Sequence, residues 1–206
     1  MLDVTNLFCQ RGERVLFANV SFSLAAGGCL HVRGSNGSGK TSLLRLLVGL
    51  APLENKETGN APAAIHWRGR SLRDSAMREE LIYLGHHAAV NGDLTALENL
   101  QFANAQDGVP LASRDALAAL QRMGLGGRED LPVRVLSAGQ RRRVLLARLL
   151  TKRAALWVLD EAFTALDVAA VKLLGELLDE HLSAGGLAVL TSHQALPVVN
   201  VQVLEL

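Results

Sequence analysis

The chain has 206 residues, of which 49% are hydrophobic and 20% are charged, and its formal net charge is +1. This length and composition are those of a globular domain with a sizeable core, and they exclude a disordered chain. A net charge so close to zero gives no overall field that would attract nucleic acid or anionic lipid.

The first third of the chain predicts strands, then a glycine-rich loop, then a helix. Residues Leu2 to Val32 have the character of strands, because Val20, Phe22 and Leu24 alternate with serines in period two. The glycine-rich loop comes next, and the apolar run from Thr41 to Leu50 that follows it predicts a helix.

The middle of the chain predicts a short strand and then a helical segment. The strand is expected at Ile65 to Trp67, and the sequence from about His86 to Gly139 is predicted to be helical. Ala116, Leu120 and Met123 recur there at helical spacing, and the glycines that follow them are expected to end that helix.

The last third returns to alternating strands and helices. Leu156 to Leu159 is a continuous apolar run, which is typical of a strand buried on both faces. Asp167 is predicted to cap a helix, Leu187 to Thr191 to form a second buried strand, and Val198 to Leu206 to form edge strands. The pattern therefore predicts one α/β domain with a helical insertion at about residues 86–145.

A phosphate-binding motif lies between a predicted strand and a predicted helix. It fits the P-loop pattern and consists of Gly34, Ser35, Asn36, Gly37, Ser38, Gly39, Lys40 and Thr41. Glycines in such a loop let backbone N–H groups approach phosphate oxygens, and the helix that follows points the positive end of its dipole at the same place. Lys40 is expected to reach the β- and γ-phosphates, and the Thr41 hydroxyl is expected to ligate Mg²⁺.

Two adjacent carboxylates, Asp160 and Glu161, follow the predicted buried strand. Asp160 stands where an acid can hold Mg²⁺ through water, at the same sheet edge as the P-loop. Glu161 is placed to accept a proton from an attacking water, which is the role of a general base. Such a pair is a weak signal alone, but together with a P-loop it indicates nucleotide hydrolysis.

Two long uncharged stretches were considered as membrane spans, Val15 to Val32 and Gly186 to Leu204. Both are interrupted by polar residues, Gly or Pro, whereas a spanning helix needs about 20 predominantly apolar residues. No signal peptide is visible, so any membrane role is expected to come through a partner. The two cysteines, Cys9 and Cys29, fit neither a disulfide framework nor a metal motif, and we interpret them as reduced thiols.

Four further segments carry a resemblance to a known family. Leu136 to Gln140, read as LSAGQ, resembles the signature sequence of ATP-binding-cassette (ABC) ATPases, which other P-loop enzymes lack. Asp160 to Asp167, read as DEAFTALD, resembles the Walker B and D-loop segment of that family, and His193 resembles its switch histidine. His86 stands at the Q-loop position, where the family has glutamine. The motifs occur in the family's order, so the chain is identified as a member of the ABC ATP-binding subunits.

The resemblance implies an α/β P-loop NTPase (RecA-like) fold: an ABC nucleotide-binding domain over residues 1–206, with an N-terminal antiparallel β-subdomain and an inserted helical subdomain. It also implies an ATPase that uses Mg²⁺ and acts as a head-to-tail homodimer. Ser137 and Gly139 of one subunit would close over the ATP held by the P-loop of the other. Asp167 is expected near that ATP, and His193 at its γ-phosphate and the attacking water.

Two positions depart from the family pattern. His86 either contacts water or Mg²⁺ in place of the usual glutamine, or merely fills the loop. The position of the usual adenine-stacking aromatic falls near Gln10 to Gly12, where Arg11 stacks its guanidinium plane instead or Phe8 shifts in.

Within the ABC class, the chain is most similar to the ATP-binding subunits of the bacterial cytochrome c maturation exporter. The similar segments are LGHHAAVNGDLTALENLQF, LSAGQRRRVLLARLL and LWVLDEAFTALD. The resemblance implies integral membrane partners, a peripheral location on the cytoplasmic face of the inner membrane, and haem export or release of a haem-loaded chaperone. The alternatives are another ABC exporter or a soluble ABC ATPase of DNA repair or the ribosome. The repair type is disfavoured because no heptads of a long coiled coil separate Lys40 from Ser137.

Basic residues cluster after the signature, namely Arg141, Arg142, Arg143, Arg148, Lys152 and Arg153. A nucleic-acid groove would have aromatic residues among them, and none lies nearby in sequence. We therefore interpret the cluster as a solvated face near the nucleotide and expect no nucleic-acid partner.

Overall fold

Two β-sheets organise the chain. The computed structural model describes residues 1–54, 62–71, 79–85, 89–194, 196, 198 and 200–206. Within these residues the strands are β1 Leu2–Arg11, β2 Arg14–Leu24, β3 Cys29–Arg33, β4 Ala64–Trp67, β5 Arg70–Ser71, β6 Leu81–Leu84, β7 Leu156–Leu159, β8 Leu187–Thr191 and β9 Val201–Glu205. One sheet is antiparallel with the order β2-β1-β4-β5, and the other has the order β6-β7-β8-β3-β9.

Every neighbouring pair in the second sheet is parallel. The helices are α1 Lys40–Leu47, α2 Ala96–Gln106, α3 Ser113–Arg122, α4 Ala138–Thr151 and α5 Val168–Ser183, with a short 3₁₀ helix at Val133–Val135. In parallel sheets the carboxyl ends of all strands lie at the same edge, which is where such folds bind ligands. The loops after β3, β6, β7 and β8 therefore meet at one edge of the sheet.

The parallel sheet is covered on both faces. Its strands contribute alternate residues to two hydrophobic clusters, with Val158 and Val189 in the cluster that contains α1 and the antiparallel sheet. Leu159 and Leu190 belong to the other cluster, which contains α5 and the helices of the insertion. All residues of β7 and β8 are buried, as the continuous apolar runs in the sequence predicted.

Most predicted elements are present, with shifted boundaries. The N-terminal region forms strands, as predicted. β1 and β2 pair in the antiparallel sheet, whereas β3 belongs to the parallel sheet. The helix after the P-loop ends at Leu47 rather than Leu50, because Gly49 has a positive φ of 71° and closes the last turn. In place of the expected edge strands at the C-terminus, the described residues contain one strand, β9, which pairs in parallel with β3.

The helical middle is confirmed only in part. Its described residues form three α-helices joined by loops, the last of which runs on to Thr151. The helix predicted around Ala116 to Met123 is α3, Ser113–Arg122. α2 begins with a capping box in which the Thr95 hydroxyl accepts from the Glu98 N–H, while the Glu98 carboxylate accepts from the Thr95 N–H. His86 and its neighbours at 87 and 88 lie outside the described residues.

Candidate functional site

The P-loop has the backbone that its glycines predicted. Gly34 and Gly39 adopt φ values of 143° and 108°, and Gly39 is the N-cap of α1. A side chain at Gly39 would contact the ring of Phe17 at 3.0 Å, so the loop could not pack this closely on β2 with a larger residue. The loop thereby turns the start of α1 toward the edge of the sheet.

Lys40 is held inside this loop. Its side chain is 9% exposed, and Nζ donates to the carbonyl oxygens of Gly34 at 2.8 Å and Ser35 at 3.0 Å. An ammonium group has three N–H bonds, so two carbonyl partners do not exhaust it. Ser38 Oγ is also buried, and among the described residues it has no hydrogen-bond partner. A buried cation beside an unsatisfied hydroxyl is suited to an oxyanion such as phosphate.

A chain of hydroxyl groups connects the P-loop helix to Asp160. Thr41 Oγ1 donates to Asp160 Oδ2 at 2.8 Å, and Thr191 Oγ1 donates to Asp160 Oδ1 at 2.8 Å. The Asp160 side chain is buried, with 1% exposure of the residue. The Thr41 hydroxyl and Asp160, both predicted at a Mg²⁺ site, are therefore in direct contact, and their oxygen atoms are the donor type that Mg²⁺ prefers. The residues present fit that ion.

Glu161 occupies an unusual backbone conformation for a non-glycine residue, with φ at 52°. Such a conformation costs about 1–3 kcal/mol and persists only where the surroundings fix it. The Glu161 N–H donates to Thr191 Oγ1 at 2.7 Å. The carboxylate accepts from Thr164 Oγ1 at 2.7 Å through Oε2. The unfavourable backbone conformation of Glu161 is therefore maintained by these contacts, which also fix the orientation of its carboxylate.

His193 completes the group. Its Nε2 lies 3.1 Å from Glu161 Oε1, so the imidazole and the carboxylate share a hydrogen bond. His193 comes from the loop after β8, and Glu161 from the loop after β7, which are neighbouring strands. The sequence placed His193 at the phosphate and the water; in the structure its contact is with the carboxylate that was predicted to be the base.

These side chains line one cavity of about 760 Å³, called here the P-loop cavity. Its walls include Asn36, Thr41, Asp160, Glu161 and His193. The fold thus gathers the predicted phosphate loop, acid pair and histidine from separate loops into a single space. Tyr83 and Arg45 also line it, and neither belongs to a motif that could be recognised in the sequence.

The signature residues lie in a different place on the same chain. Ser137 is the N-cap of α4, and its hydroxyl accepts from the Gln140 N–H at 3.2 Å in a capping box. Ser137, Gly139 and Asp167 line a second cavity of about 270 Å³, called here the signature pocket. Asp167 caps α5, as predicted, by accepting from the Ala170 N–H at 2.8 Å.

The interpretation of the basic cluster as a solvated face is wrong. Only its two outer members, Arg141 and Arg153, are exposed. Arg142 is 7% exposed, and Arg143 forms an ion pair with Asp167 beside the signature pocket. The sequence held a signal for this: Arg142 is spaced three and four residues from buried Leu145 and Leu146, on the apolar stripe of α4.

Other functional candidates were not found from sequence. Thr191 and Thr164 form hydrogen bonds with Asp160 and Glu161. No sequence pattern identifies a threonine as the partner of a distant or neighbouring carboxylate. Arg14 reaches the P-loop, with Nη1 4.0 Å from where a side chain on Gly37 would begin. Arg11, which with Phe8 was one of two candidates for base stacking, lies exposed at the end of β1, where its backbone pairs with that of Arg14.

This arrangement defines a class of protein: a P-loop NTPase with a signature helix. The model of the family described as ABC transporter matches residues 17–164. A dimeric ATP-binding cassette bound to ADP and Pi aligns with a TM-score of 0.81 and 21% identity, over 100% of this chain and 94% of that one. At that identity the likeness shows the fold alone. The chain belongs to the ABC transporter ATP-binding family.

Comparison with individual proteins identifies the group within the ABC family to which the chain belongs. A cytochrome c biogenesis ATP-binding export protein CcmA from Nitrosospira multiformis is 49% identical, over 100% of this chain and 97% of that protein. The protein of the same description from Salmonella typhi is 48% identical, over 96% of this chain and 91% of its own length. Within the ABC family, the chain is therefore a member of the CcmA family.

Proposed function

We propose that this chain is the ATP-hydrolysing subunit of an exporter complex of cytochrome c biogenesis. The observation that carries the proposal is the P-loop cavity, which Thr41, Asp160, Glu161 and His193 line together. Lys40 is buried within the adjoining P-loop. Full-length identity of 49% to a cytochrome c biogenesis export protein supports the biological setting. The cargo proposed is haem, either exported or released with a haem-loaded chaperone.

The proposed reaction is attack of water on the γ-phosphorus of ATP, which gives ADP and inorganic phosphate. Glu161 takes the proton of the attacking water at a carboxylate oxygen, and the bond from γ-phosphorus to the bridging oxygen of ADP breaks. Lys40 and the P-loop N–H groups bind the phosphate oxygens. His193, whose Nε2 is 3.1 Å from Glu161 Oε1, orients that carboxylate and is proposed to contact the γ-phosphate.

Mg²⁺ is proposed as the cofactor, held by the Thr41 hydroxyl directly and by Asp160 through water. When bound, it would neutralise charge that develops on the phosphate oxygens. Thr191 keeps the Asp160 carboxylate in place by donating to Oδ1 at 2.8 Å. The other oxygen, Oδ2, is thereby directed at the P-loop helix, where it accepts from Thr41 Oγ1 at 2.8 Å.

A head-to-tail homodimer is proposed as the active form. The separation of the two cavities supports it, since Ser137 and Gly139 line the signature pocket rather than the P-loop cavity. The start of α4 offers backbone N–H groups and a positive dipole end, which suit the γ-phosphate of the partner subunit's ATP. Asp167 and the exposed Val168 adjoin this pocket and would lie at the dimer interface.

Membrane subunits are proposed as the further partners, which would give a peripheral location on the cytoplasmic face of the inner membrane. Among the described helices, none is long and apolar enough to cross a bilayer. A cavity of about 780 Å³ lies between the ends of α2 and α4, lined in part by Gln106, Val109, Lys152 and Arg153. Val109 is 62% exposed, and Phe102, one turn before Gln106 on α2, is 54% exposed. Apolar side chains beside a polar groove suit an amphipathic helix from such a subunit.

The test is complementation of cells that lack this protein, read as haem-stained c-type cytochromes on a gel. Wild type should restore covalent haem, while Lys40→Ala, which should weaken nucleotide binding, and Glu161→Gln should not. Immunoblots check that all three proteins accumulate equally. Normal haem attachment in the deletion strain would remove the cytochrome c assignment and leave an ABC ATPase of another exporter.

A further inference from the structure

A buried arginine on the signature helix touches the backbone of the acid pair. Arg142 is the fifth residue of α4, is 7% exposed and points inward between α4 and the parallel sheet. Burying a cation without partners is strongly unfavourable, so a buried arginine is kept only where it has good acceptors. Burial lowers the pKa of Arg142, and the charges of Asp160 and Glu161 act in the opposite direction.

The acceptors of Arg142 are three backbone carbonyl groups. Nη2 donates to the carbonyl oxygens of Asp160 at 3.0 Å and Glu161 at 2.8 Å, and Nη1 donates to that of Gly85 at 3.2 Å. Gly85 follows β6, whereas Asp160 and Glu161 follow β7. One guanidinium group therefore ties together the carboxyl ends of two neighbouring strands.

Only arginine can make this set of contacts from this position. A guanidinium group is a planar fork with donors pointing in several fixed directions, whereas a lysine ammonium is a single point on a flexible stem. The strained φ of Glu161 makes its backbone sensitive to the loss of this support. Without Arg142, the Glu161 carbonyl oxygen keeps the N–H of Thr164 as a donor at 3.1 Å, and its own N–H keeps Thr191 Oγ1, but the charged donor is lost.

The other end of the connection is the start of α4. Arg142 stands five residues after Ser137, so a rigid helical turn joins the two. A side chain on Gly139 would begin 3.1 Å from the Ala165 carbonyl oxygen, so this part of the helix is packed directly on the turn that follows Glu161. A displacement of α4 is thereby transmitted to the backbone of Glu161.

We propose that Arg142 is a positioning residue that sets the orientation of Glu161 according to the position of the signature helix. The proposal rests on the proposed function. In the dimer, Ser137 meets the partner's nucleotide while Glu161 acts on the nucleotide of its own P-loop. Arg142 therefore links closure at one nucleotide to competence for hydrolysis at the other.

The test compares Arg142→Lys and Arg142→Gln with the matched control Arg148→Gln. Arg148 is a second partly buried arginine of α4 that lies at the far end of the helix, near Asp107. ATP hydrolysis is measured with the chain assembled with its membrane subunits in membrane vesicles, alongside wild type and Glu161→Gln. Hydrogen exchange of the full chain is followed in parallel for the peptide that contains residues 160–162.

Both Arg142 variants should lose kcat by about 10- to 100-fold, the scale expected when a reacting group is misplaced by about 1 Å, while KM for ATP stays within about 2-fold. The amide of Glu161 should exchange faster in both. Arg148→Gln should lower the melting temperature about as much as the Arg142 variants do. It should leave kcat and the hydrogen exchange at residues 160–162 unchanged.

The proposal is overturned if the Arg142 variants keep wild-type kcat, as the control should, or if their kcat falls only in proportion to the folded fraction. It is also overturned if the exchange at residues 160–162 does not change. Failure of the proposed function would give a different result. The wild-type vesicles would then hydrolyse no ATP, or Glu161→Gln would be as active as wild type. The exchange measurement decides on Arg142 in that case too.

Discussion

Replacement of Glu161 by glutamine separates the chemistry of the site from its stability. The glutamine side chain has the same length and shape, and its amide can still bond to both neighbours. Thr164 Oγ1 is able to accept as well as donate, and one oxygen remains for His193. The backbone contacts that hold the strained φ are unchanged, because Thr191 and Arg142 bind main-chain atoms.

The expected loss of stability is small. The charge-assisted bond to His193 is the interaction that weakens, and the His193 side chain is 53% exposed, so the pair is worth at most about 1 kcal/mol. For a chain of this length, that corresponds to a fall in melting temperature of no more than about 2–4 °C. The loss of the proton acceptor, in contrast, should reduce kcat by a factor of about 10² to 10⁴.

The assay is phosphate release in a single turnover, with binding of a fluorescent ATP analogue and size-exclusion chromatography on the same samples. Glu161→Gln should bind ATP with unchanged affinity and accumulate a closed dimer. Thr164→Val serves as a control, since it removes a partner of the carboxylate and leaves the base. Turnover within about 3-fold of wild type in Glu161→Gln would refute the assignment of Glu161 as the base.

Two further outcomes concern buried polar side chains, Thr191 beside the acid pair and His31 in β3. Thr191→Val removes the hydroxyl that donates to Asp160 Oδ1 and accepts from the Glu161 N–H, while Thr41 still donates to Asp160 Oδ2. Unfolding by denaturant should therefore show a loss of about 1–3 kcal/mol, and Thr191→Ser should recover most of it. Burial lowers the pKa of His31, so the unfolded chain binds the proton more readily; stability is complete above the ordinary pKa of about 6.5 and is lost as pH falls below it. His31→Gln should flatten that decline in melting temperature between pH 7 and 5, and an unchanged slope would show that another group is responsible.

The local motifs of the site were predictable because each is a short segment whose conformation depends on its own residues. The glycines of the P-loop, the capping serine at 137 and the capping aspartate at 167 act on backbone atoms within a few positions. Their spacing in the sequence is therefore also their spacing in space. The acid pair was predictable for a related reason, since a continuous apolar strand has to end at the ligand-binding edge of a parallel sheet.

The residues that hold the site together were not predictable in the same way. Thr191 acts on Asp160 and Glu161 across about thirty positions of sequence, and Arg142 acts on carbonyls, which carry no side-chain signal. The basic cluster was predicted to be solvated from its charges alone, although the face of α4 on which each residue lies determines whether it is exposed. His86, which stands at the Q-loop position, lies outside the described residues.

The placement of the two cavities has a genetic consequence. Glu161 lines the P-loop cavity and Ser137 lines the signature pocket, so in the proposed dimer each chain contributes these residues to different ATP molecules. A chain inactivated at Glu161 and a chain inactivated at Ser137 would each fail alone. When they pair, both defects fall on the same ATP and the second ATP meets only intact residues. Two inactive alleles should therefore complement each other when both are present in one cell.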